Sequence, residues 1–188
     1  MQITANRIVD AKGLTCPMPI VKAKKAMMNL EPGQVMEVQA IDKGSIADLK
    51  AWAENTGHQY IGTVEGGDLL KHYLRKASDP ELKEEIKHEY TIELNKLHSK
   101  LNEPPISILD VCEPVEFAFG HIPGAVNIPL EELDERLDEI DQNKELYIIC
   151  RTGNRSDLAA QNLTEKGYKN VINVLPGMST WDSPIEKN

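Results

Sequence analysis

LYIICRTGNRS, Leu146 to Ser156, passes from an unbroken apolar run through one cysteine into a loop carrying two arginines. Leu146 to Ile149 lack the polar alternation of a half-exposed strand, as expected of a strand covered on both faces in a parallel sheet. The segment that follows, SDLAAQNLTEKG, reads as a helix. Strand, loop and helix in that order place Cys150 beyond the carboxyl end of a strand, where the sites of open parallel sheets lie.

A lone cysteine is most often a small core residue. The surroundings of Cys150 argue otherwise. The residues after it have room to curl with their N–H groups inward before the helix starts, forming a nest for an anionic sulfur. Gly153 and Asn154 suit such a curl because both tolerate positive φ. Arg151, Arg155 and the helix dipole add positive potential, so the thiol is expected to ionise more readily than a free one. Thr152 lies within this loop and Ser156 opens the helix after it.

Working outward, ISILDV, ELYIIC and NVINVL read as strands. Between them come a Gly- and Pro-rich loop (GHIPGAVNIPL), an acidic helix (EELDERLDEI) and the helix after the cysteine loop. Strands alternating with helices predict a parallel sheet with helices on its faces. Ahead of them, YTIELNKLHSKLN sets Leu94, Leu97 and Leu101 on one helical face, and Pro104-Pro105 ends it. The charged stretch SDPELKEEIKH, residues 78–88, reads as a solvated helical linker. Residues 1–77 form a separate α+β unit: strand QITANRIVD, helix PIVKAKKAMMNL, strand QVMEVQAI, helix SIADLKAWAENTG, then HQYIGTVE as closing strand. Pro32-Gly33 stops the first helix, Ser45 is placed to cap the second, and Gly57 follows it as a C-terminal cap. EGGDLLKHYLRKA shows a helical period at Leu69, Leu70, Tyr73 and Leu74 and is left open between helix and strand.

The bulk numbers narrow the classes. The chain has 188 residues, a net charge of −9 and three cysteines, Cys16, Cys112 and Cys150. The negative charge opposes a nucleic-acid partner. No apolar run approaches the roughly 20 residues of a membrane span, and the opening lacks a secretory pattern, so a cytoplasmic location is the expectation. An odd, widely spaced set of cysteines in a reducing compartment implies at least one free thiol. With no C-x-x-C and no close His pair, neither metal nor cofactor is expected.

Cys16 sits in DAKGLTCPMPIVKAKKAM. Proline is tolerated in a first helical turn, so Cys16 stands at a helix N-terminus, where the dipole and Lys22, Lys24 and Lys25 are expected to favour a thiolate. A small capping residue is the plain alternative. Trp52 reads as core.

Two chemistries use a cysteine in an anion-binding loop, phosphate-ester cleavage and sulfur transfer. Cysteine phosphatases resemble one another in a C-x5-R loop; here the arginine comes one residue earlier, a cradle sized for one added sulfur. From Tyr90 to Trp181, ILDVCEPVEFAFGHIPGAVNIPL, IICRTGNRS and VLPGMSTW resemble a single-domain rhodanese. That resemblance implies a five-stranded, mainly parallel sheet flanked by helices across residues 89–188, with Cys150 accepting a sulfane sulfur, Arg151, Thr152, Gly153, Asn154, Arg155 and Ser156 supplying its cradle, and Arg151 and Arg155 contacting the donor anion. It also makes His121 a structural loop residue rather than a base. The rhodanese strand usually ends Asp-Val-Arg, and here Asp110-Val111-Cys112 stands instead. Cys112 then reads either as a small apolar replacement or as a resolving thiol beside Cys150. From Ile3 to Ala77, Asp10, Gly13, Cys16, Pro17, Pro19, LEPGQVMEV and DKGSIADLKAW resemble the TusA, or SirA-like, sulfur carriers. This resemblance implies a two-layer βαβαββ sandwich with a persulfide carried on Cys16.

Together the expectation is a sulfurtransferase that loads Cys150 from thiosulfate or a small persulfide such as glutathione persulfide and exchanges the sulfur with Cys16. Delivery is to a thiol acceptor or partner sulfur carrier, and a homodimer is compatible with this scheme. The alternatives are a non-catalytic interaction or redox-regulatory module, and a cysteine phosphatase or arsenate reductase.

Overall fold

The computed structural model describes residues 3–79, 86–103 and 106–187. The chain divides into two compact units, residues 1–82 and 83–188. Among the described residues no helix is long and apolar enough to cross a membrane.

The first unit runs β1 (Arg7–Asp10), α1 (Met18–Met28), β2 (Val35–Ala40), α2 (Gly44–Asn55), β3 (Gln59–Gly66) and β4 (Leu69–Arg75). These strands form one four-stranded sheet in the order β1-β2-β4-β3, with β1 parallel to β2 and the remaining pairs antiparallel. The segment left open between helix and strand is β4. It is the inner strand between β2 and β3, so both sheet partners claim its backbone. Its side chains from Tyr73 to Arg75 are buried without alternation, which is why the period of two was obscured. Met36 and Val38 of β2, Leu74 of β4, Ala23, Ala26 and Met27 of α1, and Leu49 and Ala53 of α2 make the core between sheet and helices. Trp52 packs at its edge, half-buried.

Gly33 and Gly57 take the positive φ expected after α1 and α2. Ser45 does not cap α2, which starts one residue earlier and has Lys43 at its N-cap without a side-chain bond. Its hydroxyl instead donates to the Asp42 carbonyl and meets Nε2 of His72 at 2.9 Å. The other ring nitrogen of His72 lies 2.9 Å from the Tyr60 hydroxyl and 3.0 Å from that of Thr63. Burial holds this imidazole neutral, with its pKa lowered to about 4.

The second unit runs β5 (Thr91–Glu93), α3 (Leu94–Lys100), β6 (Ile106–Asp110), α4 (Pro114–Phe119), β7 (Val126–Asn127), β8 (Glu145–Ile149), α5 (Asn154–Glu165) and β9 (Val171–Leu175). The sheet is five-stranded in the order β5-β9-β8-β6-β7, and every pairing is parallel. β8 lies inside the sheet between β9 and β6, as its apolar run required. Leu146 and Ile148 point into the α5 side with Leu109, Val111, Ala159, Ala160 and Leu163; Tyr147 and Ile149 point into the α3 side with Leu97 and Ile108.

Two expectations of the second unit are corrected. Thr91 to Glu93 form a short strand ahead of α3 rather than helix, paired with β9. The acidic segment forms 3-10 turns at Leu130–Glu135 and Leu137–Glu139, interrupted at Arg136, not a helix. Like charges at helical spacing oppose an α-helix there, and Arg136 instead clamps Glu132 and Glu139 at 2.9 and 2.6 Å. The expected helical linker falls partly on residues 80–85, outside the described residues. At its far end Lys87 and His88 donate their backbone N–H groups to the Asp157 carboxylate of α5, at 3.1 and 2.8 Å. The second unit therefore takes hold of the chain before residue 89.

Candidate functional site

The cysteine loop leaves β8 and joins α5 within a few residues. Cys150 has 0% of its surface exposed. Its Sγ accepts a hydrogen bond from the Gly153 N–H at 3.1 Å and lies 3.3 Å from the Ser156 hydroxyl. Gly153 makes this approach through φ of +93°, and a Cβ there would stand 2.5 Å from Leu175 Cδ2. No residue other than glycine takes a positive φ among the described residues, so Asn154 is simply the first residue of α5.

The loop is braced from behind. The Cys150 carbonyl accepts the Met178 N–H at 2.8 Å and the Arg151 carbonyl accepts the Ser179 N–H at 2.9 Å. A trans peptide points its N–H opposite to its carbonyl, so the amides of Arg151 and Thr152 face away from this brace. Gly177 permits the approach: a Cβ on it would collide with the Cys150 carbonyl oxygen and lie 2.7 Å from that of Arg151. Gly177, Met178 and Ser179 belong to VLPGMSTW, whose role as a brace depends on contacts with a loop far earlier in the chain.

The two arginines differ. Arg151 is half-buried. Arg155, expected as an anion contact, is turned into the protein with 3% exposure. Its Nη1 and Nη2 donate to the two carboxylate oxygens of Glu116 at 2.7 and 2.8 Å. A buried carboxylate facing a guanidinium explains the inversion, since each ion leaves water only if the other follows. Glu116 also accepts the Glu113 N–H at 2.9 Å in the capping box of α4. That box is the sequence signal that would have found it.

Asp110 ends β6 and is buried; its Oδ1 accepts the Cys112 N–H at 2.9 Å. Burial pushes its carboxyl up to about 6. Cys112 is 3% exposed and sits in the same core cluster as Cys150. Burial, then the Asp110 and Glu116 charges, push its thiol well above the usual range. His121 stacks on Phe117 with ring centroids 3.6 Å apart and places Nδ1 2.8 Å from the Phe117 carbonyl. Those contacts are structural. A cavity of about 540 Å³ opens beside Leu94, His98, Leu175, Pro176 and Trp181, and Cys150 does not line it.

In the first unit Cys16 is exposed, two residues before α1. The expected lysine environment is not what faces it. Asp48 of α2, through hydrogen bonding and charge, and then Asp42 push the thiol up rather than down. Lys22 is drawn aside, its Nζ donating to the Asp10 carbonyl at 2.8 Å. The fold brings a helix N-terminus to Cys16 but brings carboxylates with it.

Two family models match the chain, the rhodanese-like domain over residues 93–184 and the sulfurtransferase TusA over residues 7–76. A Bacillus subtilis protein named as a candidate sulfur carrier, YrkF, is 47% identical over 183 residues, spanning 97% of this chain and 98% of its own. The chain belongs to this TusA–rhodanese family of sulfur carriers. Its TusA domain is 43% identical over 70 residues to the sulfur carrier protein TusA of Allochromatium vinosum, covering 37% of this chain and 91% of that one. Its rhodanese domain is similar to the crystal structure of a rhodanese-like domain protein from Staphylococcus aureus, at 34% identity and a TM-score of 0.50, covering 53% of this chain and 98% of that one. The TusA–rhodanese chain thus joins a carrier domain to a sulfurtransferase-class domain, each with its own cysteine.

Proposed function

We propose that Cys150 takes a sulfane sulfur from thiosulfate or a low-molecular-weight persulfide and exchanges it with Cys16 for delivery to an acceptor thiol or partner carrier. The deprotonated Cys150 sulfur attacks the outer sulfur of thiosulfate; the new S–S bond forms as the old one breaks, and sulfite leaves with the electron pair. Attack by the Cys16 thiolate on the outer sulfur of that persulfide then moves the sulfur and regenerates Cys150. The exchange obeys the rules of thiol–disulfide exchange and runs either way. Placing both thiols on one chain raises their effective concentration, to the order of mM for a suitable linker.

The observation that carries this reading is the convergence of the Gly153 N–H and the Ser156 hydroxyl on Cys150 Sγ at the start of α5. Both donors, with the helix N-terminus, favour an anionic sulfur. Arg151, Thr152, Gly153, Asn154 and Ser156 form the donor-facing loop in this scheme, and Arg155 supports it through Glu116. Because Cys150 has no exposed surface, loading requires a small donor and a local opening of the loop. The same burial favours a second reading, a redox-regulatory module that is never loaded.

Intact-mass analysis of the native chain, Cys16→Ser and Cys150→Ser after exposure to thiosulfate and to glutathione persulfide separates these. One added sulfur on Cys16 only when Cys150 is present supports the relay. Equal loading of Cys16 in Cys150→Ser removes the relay, and no gain on Cys150 favours the regulatory module.

A further inference from the structure

We propose that Cys112 is a resolving thiol for Cys150: a persulfide that stays on Cys150 is attacked by Cys112, closing a Cys112–Cys150 disulfide and expelling the outer sulfur as hydrosulfide. This rests on persulfide formation at Cys150 and adds a sulfide-releasing activity to it.

β6 and β8 run in parallel with Asp110 opposite Ile149, and the Val111 N–H donates to the Ile149 carbonyl at 3.0 Å. Val111 is therefore the neighbour of Cys150, and Cys112 comes one residue later. Strict alternation would send Cys112 to the opposite face of the sheet, where Ile108 and Ile149 lie. The chain bends after β6 instead, and Cys112 joins Leu109, Val111 and Cys150 in one buried cluster. The bend is fixed at three points. The Cys112 N–H bonds Asp110 Oδ1 at 2.9 Å, and Asn127 Nδ2 donates to the carbonyls of both Asp110 and Cys112 at 2.9 and 2.8 Å. Adjacent strands lie about 4.8 Å apart and each residue advances about 3.3 Å, so a partner one residue out of register stands on the order of 6 Å away, inside the roughly 4.4–6.8 Å Cα separation a disulfide spans.

Arg155 feels the charge of both Cys112 and Cys150, and Cys112 feels that of Cys150. Asp110 and Glu116 outweigh Arg155 at Cys112, so Cys112 enters the step as a thiol. Cys112 stays protonated, pushed up by burial and Asp110. Its proton goes to the departing sulfur, so the step needs no separate base. The bond between the Cys112 and Cys150 Sγ atoms forms, the bond from Cys150 Sγ to the added sulfur breaks, Cys112 is oxidised and the sulfane sulfur is reduced. The persulfide is the oxidant. Two equivalents of a small thiol such as glutathione then reduce the disulfide through a mixed disulfide and reset the pair, leaving as their own disulfide.

A protonated, buried thiol is a slow nucleophile, whereas Cys16 is exposed. Hand-over to the carrier therefore comes first, and Cys112 discharges only sulfur that lingers.

The test uses the full chain carrying Cys16→Ser, reduced, loaded with glutathione persulfide and desalted. Hydrosulfide release is followed over time, and non-reduced tryptic peptides are mapped. The expected result is release of hydrosulfide together with a disulfide-joined peptide pair containing ELYIICR and the segment around Cys112. Adding Cys112→Ser, or Cys112→Val to fill the same space, keeps the added sulfur on Cys150 and abolishes most of the release. Unchanged release in both double variants overturns the proposal, as does a loaded parent that yields no joined pair. A parent that never gains sulfur on Cys150 fails earlier, and overturns the function proposed for the loop as well.

Discussion

The guanidinium of Arg155 lies flat against the Glu116 carboxylate, two bonds at 2.7 and 2.8 Å with both residues buried. This pair ties the first turn of α5 to α4, and so ties the cysteine loop to the segment that follows β6. Removing one partner leaves the other charge buried without its two-bond counterpart, a change that costs about 3–5 kcal/mol. Glu116→Ala is expected to lower the urea midpoint of the rhodanese domain accordingly. Arg155→Lys should recover little, because an ammonium cannot make the paired contact. A variant as stable as the native chain would show that the pair does not brace the loop.

Cys16 offers a test of electrostatics in the carrier domain. Asp48 opposes ionisation of its thiol, so Asp48→Asn should move the pH profile of Cys16 alkylation to lower pH, and Asp42→Asn should move it less. Iodoacetamide kinetics with mass detection reads this directly. In the same experiment exposed Cys16 should label well before Cys150, which has no exposed surface.

Gly177→Ala places a Cβ against the carbonyls of Cys150 and Arg151 at φ of +104°. Overpacking of this kind costs about 1–3 kcal/mol, and here the strain falls on the loop. Slower sulfur loading of Cys150 is expected, with a lower melting temperature. Loading at the native rate would mean that the brace does not shape the cradle.

His72 makes the stability of the TusA domain depend on pH. Its pKa is about 4 when folded against 6.5 for an ordinary histidine, so between those values the unfolded chain holds the extra proton. The stabilisation is present above pH 6.5 and is lost as the pH falls toward 4, with a slope of up to about 1.4 kcal/mol per pH unit. Denaturation of the chain at several pH values checks this. His72→Gln should flatten the slope in that window.

How much was legible in the sequence follows from where the information lies. The order of helices and strands was readable because Gly33, Gly57 and the apolar run of β8 are local signals. β5 was not, since Thr91 to Glu93 carry one half-buried side chain between two exposed ones. The fate of Arg155 was also hidden. Whether an arginine faces a ligand or a carboxylate depends on Glu116, 39 residues earlier in the chain, and no local spacing records that pairing. Cys16 shows the same limit, because the lysines near it in sequence are outweighed by Asp48, which arrives on another helix.

The bonds from Met178 and Ser179 to the carbonyls of Cys150 and Arg151 make the motif from Cys150 to Ser156 dependent on a stretch it does not contain. A synthetic peptide of that motif, or the same letters grafted at some other strand-to-helix junction, would carry all the chemistry and none of the scaffolding. A chain trimmed before residue 177 would lose that brace, which makes the segment after β9 a structural partner of the Cys150 loop despite its distance in sequence.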